Sequence, residues 1–148
     1  MTLLPRRLVV PYCRPPAEPP PVLVLAKHPE STHAARKYAR EFVNYHVPGI
    51  PAGLRDDAVL IVSELVTNAL RYGTEPGDFL RLVLDADPGR IRIEVHDPSR
   101  RRPHPKAESD ERQRGRGLFI IEALAAGWGV EDRPMGKAVW VELRWGQE

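Results

Sequence analysis

The feature that most constrains the fold is a helical pattern of apolar residues between Leu54 and Tyr72, in the middle of the chain. Apolar positions recur there three or four residues apart, as a helix packed on a core requires. These positions are Leu54, Ala58, Ile61, Leu65, Ala69 and Tyr72. Glu64 and Asn68 lie one helical turn apart at the edge of this stripe. A carboxylate and a carboxamide at such an edge are either solvated side chains or parts of a ligand site.

Strand patterns flank this helix on both sides. The sequence predicts strands over residues 22–26, 79–84, 91–95, 128–131 and 138–144, and two further helices over residues 31–45 and 118–126. We expect Ser31 or Thr32 to cap the first helix. Alternating apolar residues after a turn at residues 87–90, with Gly89 suited to a positive φ, indicate an antiparallel hairpin with one buried face. The order of elements predicts an α+β fold, a two-layer α/β sandwich in which a mixed, mostly antiparallel sheet carries about three helices on one face.

The beginning of the chain differs in composition from the rest. Seven of the 16 prolines fall within residues 1–21, and so many prolines prevent a helix or a central strand. We therefore predict a proline-rich disordered tail, residues 1–21, and a folded domain, residues 22–145. The single cysteine, Cys13, cannot form an internal disulfide. The sequence has no signal-peptide pattern and no apolar run long enough to cross a bilayer, so we expect a cytoplasmic protein without membrane contact.

The charge pattern gives no sign of a nucleic-acid binder. Twenty-two basic and 20 acidic residues leave a net charge of +2, and we expect no direct contact with nucleic acid. The basic residues concentrate between Pro98 and Arg116, in a segment without helical or strand periodicity. A basic loop of this length is either a solvated surface or a lid that attracts phosphate.

Three separated polar elements make sense together as a nucleotide site. Asn68 offers a neutral oxygen ligand to Mg²⁺, and Glu64, one turn earlier, could accept a proton from an attacking hydroxyl. Asp97 follows an apolar strand and could accept a hydrogen bond from the exocyclic amine of adenine. Gly115 and Gly117 precede a helix, where the backbone can come close to phosphates.

The same residues carry a family resemblance. Residues 64–73, ELVTNALRYG, resemble the N-box of the GHKL superfamily of ATPases and kinases, which includes gyrase, MutL and the histidine kinases. Residues 96–103, HDPSRRRP, resemble its G1 box, and residues 115–131, GRGLFIIEALAAGWGVE, its G2 box. The chain is most similar to the serine-kinase anti-sigma factors of actinobacterial type, whose final strands resemble GKAVWVEL. The resemblance covers about residues 21–144 and implies the Bergerat ATP-binding fold.

The resemblance also implies ligands and residue roles. ATP and Mg²⁺ are the implied cofactors, with Glu64 as the general base, Asn68 as the Mg²⁺ ligand and Asp97 on adenine. The implied contacts of the phosphate lid are Gly115, Arg116, Gly117 and Leu118. We interpret Lys137 as a hairpin residue, with a phosphate contact as the alternative.

The implied function is that of an ATP-binding anti-sigma regulatory factor with protein serine/threonine kinase activity. Such a protein holds a sigma factor and phosphorylates a serine on an antagonist of STAS type, and its relatives often form homodimers. The G1 box departs from the family pattern, since Pro98, Ser99 and three arginines follow Asp97 where glycines are usual. This departure favours an alternative function, a non-catalytic module of the same fold that sequesters a protein with weak or no ATP turnover.

Overall fold

The computed structural model describes residues 19–99 and 119–146. In chain order the elements with described bounds are β1 (Val22–Ala26), α1 (Ser31–His46), α2 (Ala52–Tyr72), β2 (Phe79–Asp87), β3 (Arg90–Asp97), β4 (Gly127–Arg133) and β5 (Gly136–Arg144). A third helix, α3, precedes β4 and is described over residues 119–124. The predicted tail up to residue 18 and the lid residues Gly115, Arg116, Gly117 and Leu118 lie outside the described residues.

The five strands form one sheet in the order β1-β2-β3-β5-β4. All four neighbouring pairs are antiparallel, and the hairpin turn between β2 and β3 contains Gly89 at φ +95°. The central strand is β3, which lies between β2 and β5. Because β3 is central, a polar residue at its end is surrounded by neighbouring elements rather than by solvent.

One face of the sheet is apolar and is covered by the helices. Alternate residues of each strand point to this face, and they interlock with the apolar stripes of α1 and α2. Helix α1 packs on β1 and β2, and α2 packs on α1, β2, β3 and β5. The fully buried side chains of the core include Val43, Ile61, Val62, Val66, Leu80, Leu82, Leu84, Ile91, Ile93, Ile121 and Leu143. Each such side chain contributes roughly 1.5–3 kcal/mol through burial, and the predicted two-layer α+β fold is confirmed.

Two side chains close to the end of β1, those of Ser31 and Lys27, donate hydrogen bonds to backbone carbonyls. Ser31 is the first residue of α1, and no side chain caps this helix; the capping prediction is wrong because the Ser31 hydroxyl donates to the Ala26 carbonyl at 2.7 Å instead. Close by, at the carboxyl end of α2, the Lys27 ammonium donates to the carbonyls of Leu70 at 2.6 Å and Thr74 at 2.9 Å. A positive charge at the carboxyl end of α2 is favoured by the helix dipole and satisfies carbonyls that have no partner within the helix.

The described residues before β1 contact α1 and the sheet. The Tyr38 hydroxyl donates to the carbonyl of Pro20, and the Leu84 amide donates to the carbonyl of Pro21 at 2.9 Å. Burial raises the pKa of Tyr38 to about 12, so the hydroxyl stays a donor at ordinary pH. The carbonyl of Pro19 also accepts, from His46 Nε2 at 3.3 Å, so all three prolines at residues 19–21 accept hydrogen bonds from the folded domain.

The outer face of the sheet carries a group of ion pairs. Glu94 lies 2.8 Å from both Arg92 Nε and His96 Nε2, and Glu142 lies 2.9 Å from Arg144 and 3.3 Å from Arg92. Burial by itself would raise the pKa of each glutamate, but the hydrogen bonds from these basic side chains outweigh it and lower both pKa values. Among the described residues, no helix is long and apolar enough to cross a membrane.

Candidate functional site

The site is built where β3 and β5 run side by side. Asp97 is the last residue of β3 and is the cross-strand partner of Lys137, near the start of β5. Both residues are in phase with the buried positions of their strands, so both side chains point into the helix layer rather than to solvent. The antiparallel register therefore brings a carboxylate and an ammonium together inside the protein.

These two side chains form a buried ion pair. Lys137 Nζ lies 2.9 Å from Asp97 Oδ1 and 3.0 Å from Oδ2, and the side chains are only 6% and 3% exposed. The third ammonium hydrogen is donated to the Ser99 carbonyl at 3.1 Å, and the Ser99 amide donates to Asp97 Oδ1 at 2.8 Å. Every donor of the lysine is thus used, which is the condition under which a buried charge pair is tolerated. Burial raises the pKa of Asp97, against the opposing effect of these hydrogen bonds.

Two glycines allow the chain to close around Asp97. A Cβ on Gly73, the residue after α2, would lie 2.6 Å from Asp97 Oδ2, and a Cβ on Gly136 would lie 1.9 Å from the Asp97 carbonyl oxygen. Real Cβ atoms do not approach other atoms so closely, so glycine is required at both positions. The end of α2 and the β4–β5 turn therefore both pack directly on this aspartate.

A pocket of about 370 Å³ opens beside the pair. Its lining includes Gly73 and Ser99, which both contact Asp97, together with Tyr72, Thr74, Glu75, Asp78 and Pro98. A larger pocket of about 680 Å³ lies between the start of α1 and the last turns of α2, lined by Lys27, His28, Pro29, Thr32, Thr67, Leu70 and Arg71. No predicted site residue lines the larger pocket. We assign the candidate site to the smaller one, because its walls touch the buried aspartate.

Glu64 and Asn68 lie one turn apart on α2, as the sequence predicts. Among the described residues, Asn68 Nδ2 is the buried side-chain atom that lacks a hydrogen-bond partner. A buried amide nitrogen of this kind indicates that an acceptor is missing beside it. The same amide offers its oxygen to a cation, and Mg²⁺ commonly takes only one or two protein ligands and completes its shell with phosphates and water. The amide of Asn68 therefore fits a magnesium–phosphate group, which it would hold through its oxygen and its unpartnered nitrogen.

The structure brings only part of the predicted site together. Asp97 lies beside the smaller pocket, whereas Glu64 and Asn68 lie earlier on α2 and do not line it. The predicted lid, residues 115–118, lies outside the described residues. Among the described residues, no group of three or more His, Cys, Asp and Glu side chains could hold a metal by itself.

Lys137 is the site residue that sequence reasoning missed. The interpretation of Lys137 as a hairpin residue overlooked the phase of β5, in which Val139, Val141 and Leu143 alternate as buried residues. Extending that alternation back by two residues places Lys137 on the buried face. Asp97 extends the buried alternation of β3 in the same way, so the two phases could have predicted that both charged side chains are buried.

In the fold and the site together, a polar-edged helix packs over an antiparallel sheet whose central strand ends in a buried aspartate. Residues 25–143 match the family model of the histidine kinase-like ATPase domain. Since the match covers most of the chain, the protein belongs to this family, which is of the GHKL type. Membership implies ATP binding. No curated protein matches the chain.

Proposed function

We propose that this protein is a cytoplasmic, ATP-binding anti-sigma regulatory factor that phosphorylates a serine on an antagonist protein. The observation that carries the proposal is the pairing of Glu64 and Asn68 on one edge of α2, with the Asn68 amide nitrogen buried and without a partner among the described residues. This pairing places a potential base next to a potential magnesium–phosphate site. The finer resemblance to serine-kinase anti-sigma factors supports the choice of substrate and partners.

Glu64 supplies the base in this proposal. The carboxylate accepts the proton of the attacking serine hydroxyl while the serine oxygen bonds to the γ-phosphorus and the bond to the ADP oxygen breaks. The position one turn before Asn68 puts the base close to the phosphates that Asn68 would hold.

Asn68 would hold Mg²⁺ through its side-chain oxygen and present its amide nitrogen to a phosphate oxygen. The bound cation offsets negative charge on the transferred phosphoryl group. Gly115, Arg116, Gly117 and Leu118 would enclose the phosphates from the opposite side, with backbone amides and a guanidinium as donors. Asp97 would accept the adenine amine at the other end of the nucleotide.

A second function is favoured by the closure of Asp97. The side chain of Asp97 is only 3% exposed and is bound by Lys137. In the described state it therefore leaves little room for the adenine base. A protein of this kind could sequester its partner through its surface, with ATP bound weakly or not turned over. The sigma factor would then be released by competition rather than by phosphorylation.

One reconstitution separates the two functions. The purified protein is mixed with ATP, Mg²⁺ and a purified STAS-type antagonist, and the antagonist is analysed for phosphoserine by mass spectrometry. Capture of a purified sigma factor is measured with and without ATP. Phosphoserine on the antagonist supports the kinase, whereas nucleotide-independent capture without phosphoserine supports sequestration and overturns the kinase.

A further inference from the structure

The buried pair of Lys137 and Asp97 affects which nucleobase the site can bind. This inference rests on the proposed ATP binding. We propose that Lys137 is a positioning residue of the nucleotide site: it keeps Asp97 a pure hydrogen-bond acceptor, so that the site selects a purine with an amino group at position 6 over one with a carbonyl there. Lys137 acts on the base only through Asp97.

The hydrogen bonds around Asp97 leave one oxygen able to accept more. Oδ1 accepts from both the Lys137 ammonium and the Ser99 amide, whereas within residues 19–99 and 119–146 Oδ2 accepts from Lys137 alone. A carboxylate oxygen can accept two hydrogen bonds. With Lys137 bound, Asp97 Oδ2 can therefore still accept one further hydrogen bond.

The oxygen with this remaining capacity, Asp97 Oδ2, is next to the wall of the smaller pocket. Gly73 lines the pocket, and its missing Cβ would lie 2.6 Å from Oδ2. Gly73 thus lies against Oδ2 and forms part of the pocket wall, so an amino group reaches Oδ2 from the pocket when the chain at Gly73 moves aside. An amino group that follows this approach donates to Oδ2, and a carbonyl oxygen at the same place meets a negative charge.

This selection requires an ionised aspartate. Burial raises the pKa of Asp97, and a protonated carboxyl group both donates and accepts, so it would no longer reject a carbonyl. The ammonium of Lys137 opposes protonation at 2.9 and 3.0 Å. Removal of its charge therefore raises the pH at which Asp97 loses its proton.

Within residues 19–99 and 119–146, few other titratable groups face this carboxylate. His96 precedes it on β3 but points to the outer face, where it pairs with Glu94. On β4, Asp132 is the register partner of Lys137. From the helix layer and the loop after it, Tyr72, Glu75 and Asp78 line the pocket. Lys137 is the cation in direct contact with Asp97.

The test is the ratio of affinities for ATP and inosine triphosphate, which carries a carbonyl where ATP carries the amine. Both are titrated calorimetrically with Mg²⁺ at pH 6, 7.5 and 9 into the wild type, Lys137→Met, Lys137→Gln and Lys137→Arg. We expect the wild type to prefer ATP by about 100-fold at every pH, as buried hydrogen-bonding sites do. Lys137→Met and Lys137→Gln should lose most of this preference at pH 6 and regain it towards pH 9, while Lys137→Arg keeps it.

The outcomes distinguish a selective role from a structural one. If the neutral variants weaken both nucleotides equally, at an unchanged ratio, Lys137 only supports the fold and the inference is overturned. A wild type that binds both nucleotides alike also overturns it, although ATP binding then stands. A wild type that binds neither nucleotide contradicts the proposed function itself. Lys137→Gln keeps the test decisive if Lys137→Met does not fold, because glutamine can still donate to the carboxylate.

Discussion

Lys137 Nζ lies 2.9 Å from Asp97 Oδ1 and 3.0 Å from Oδ2, and the two residues are cross-strand partners at adjoining ends of β5 and β3. The pair is buried, and Gly73 places the end of α2 against the same carboxylate. The ion pair therefore joins β3 to β5, and its aspartate packs against the end of the helix that carries Glu64 and Asn68. The two ends of the proposed nucleotide site thus both involve α2.

Replacement of the proposed base should separate binding from chemistry. We expect Glu64→Ala to lower the rate of phosphoryl transfer by about 10²–10⁴-fold, the usual effect of losing a general base. Affinity for ATP, measured by calorimetry, should change little. Glu41→Ala, which removes an exposed glutamate from α1, is the matched control and should transfer phosphate normally. Loss of ATP binding together with transfer in Glu64→Ala would show that the assigned role is wrong.

Replacement of the proposed magnesium ligand should affect binding more than stability. In Asn68→Ala we expect ATP affinity in Mg²⁺ to fall by about 100-fold, since a ligand and a phosphate donor are lost together. The free energy of unfolding should hardly change, because the Asn68 amide nitrogen has no partner among the described residues. Asn44→Ala, at an exposed asparagine of α1, controls for the change of residue type. Unchanged ATP affinity in Mg²⁺, equal to that in EDTA, would rule out Asn68 as the ligand.

A methyl group at the end of α2 should disturb the buried carboxylate. A Cβ at residue 73 would lie 2.6 Å from Asp97 Cγ and Oδ2, so Gly73→Ala should cost about 1–3 kcal/mol in the free energy of unfolding. It should also weaken ATP binding. Gly53→Ala is the matched control, because nothing lies within 4 Å of its added Cβ and alanine favours a helix by up to about 1 kcal/mol. Equal stabilities of the two variants in urea unfolding would contradict the close packing at Asp97.

The ion pairs of the outer sheet face should make the free energy of unfolding fall as the pH is lowered into the acid range. The folded-state pKa values of Glu94 and Glu142 are lowered from 4.5, so their stabilising effect is fully present above that value and is lost as the pH falls through the folded pKa values. Urea unfolding at pH 7 and pH 3.5 should therefore show a larger drop for the wild type than for Glu94→Gln/Glu142→Gln.

The pKa of Asp97 is shifted in the opposite direction. Its contribution to the free energy of unfolding is therefore present at low pH and is lost as the pH rises. The comparison between variants removes this opposing effect, because Asp97 is common to both. Glu41→Gln makes the same change of charge away from the sheet and should follow the wild-type profile. An identical acid drop in the double variant would show that these ion pairs do not govern it.

The predicted boundary of the folded domain can be tested by truncation. A chain that starts at Pro19 keeps the carbonyls that Tyr38 and Leu84 bond, whereas one that starts at Val22 loses them. We expect the second chain to be less stable by about 1–3 kcal/mol, since each hydrogen bond contributes about 1 kcal/mol and a buried hydroxyl is left without its partner. Tyr38→Phe in the shorter chain should then recover part of the loss, because it removes the buried hydroxyl that has lost its partner. Equal stability of the two chains would instead support residue 22 as the start of the folded domain.

Much of the architecture could be predicted from local patterns. Residues 22–26 form the predicted strand β1, the hairpin turn has glycine at a positive φ, and the central helix carries the predicted apolar stripe. The buried face of α2 is wider than predicted, because Val59, Val62 and Val66 are buried as well. A helix that packs on both α1 and the sheet buries more than one stripe, and that double contact depends on neighbours distant in sequence.

The candidate site could be predicted only in part. Glu64 and Asn68 were found from helical spacing, and Asp97 from its place after an apolar strand. The partner of Asp97 was missed, because the register that pairs Asp97 with Lys137 joins positions 40 apart in the sequence and has no local signal. The uncapped start of α1 was likewise unpredictable, since the Ser31 hydroxyl bonds a carbonyl outside its helix.

The sequence by itself determined which residues face the core, where the helices and strands lie, and that a carboxylate and a carboxamide share one edge of α2. These features follow from periodicity, which is encoded over a few residues. The tertiary structure decided that Lys137 neutralises Asp97 and that Gly73 and Gly136 close around it. Such contacts depend on strand register and on steric fit between distant segments, and these are settled only when the layers pack together.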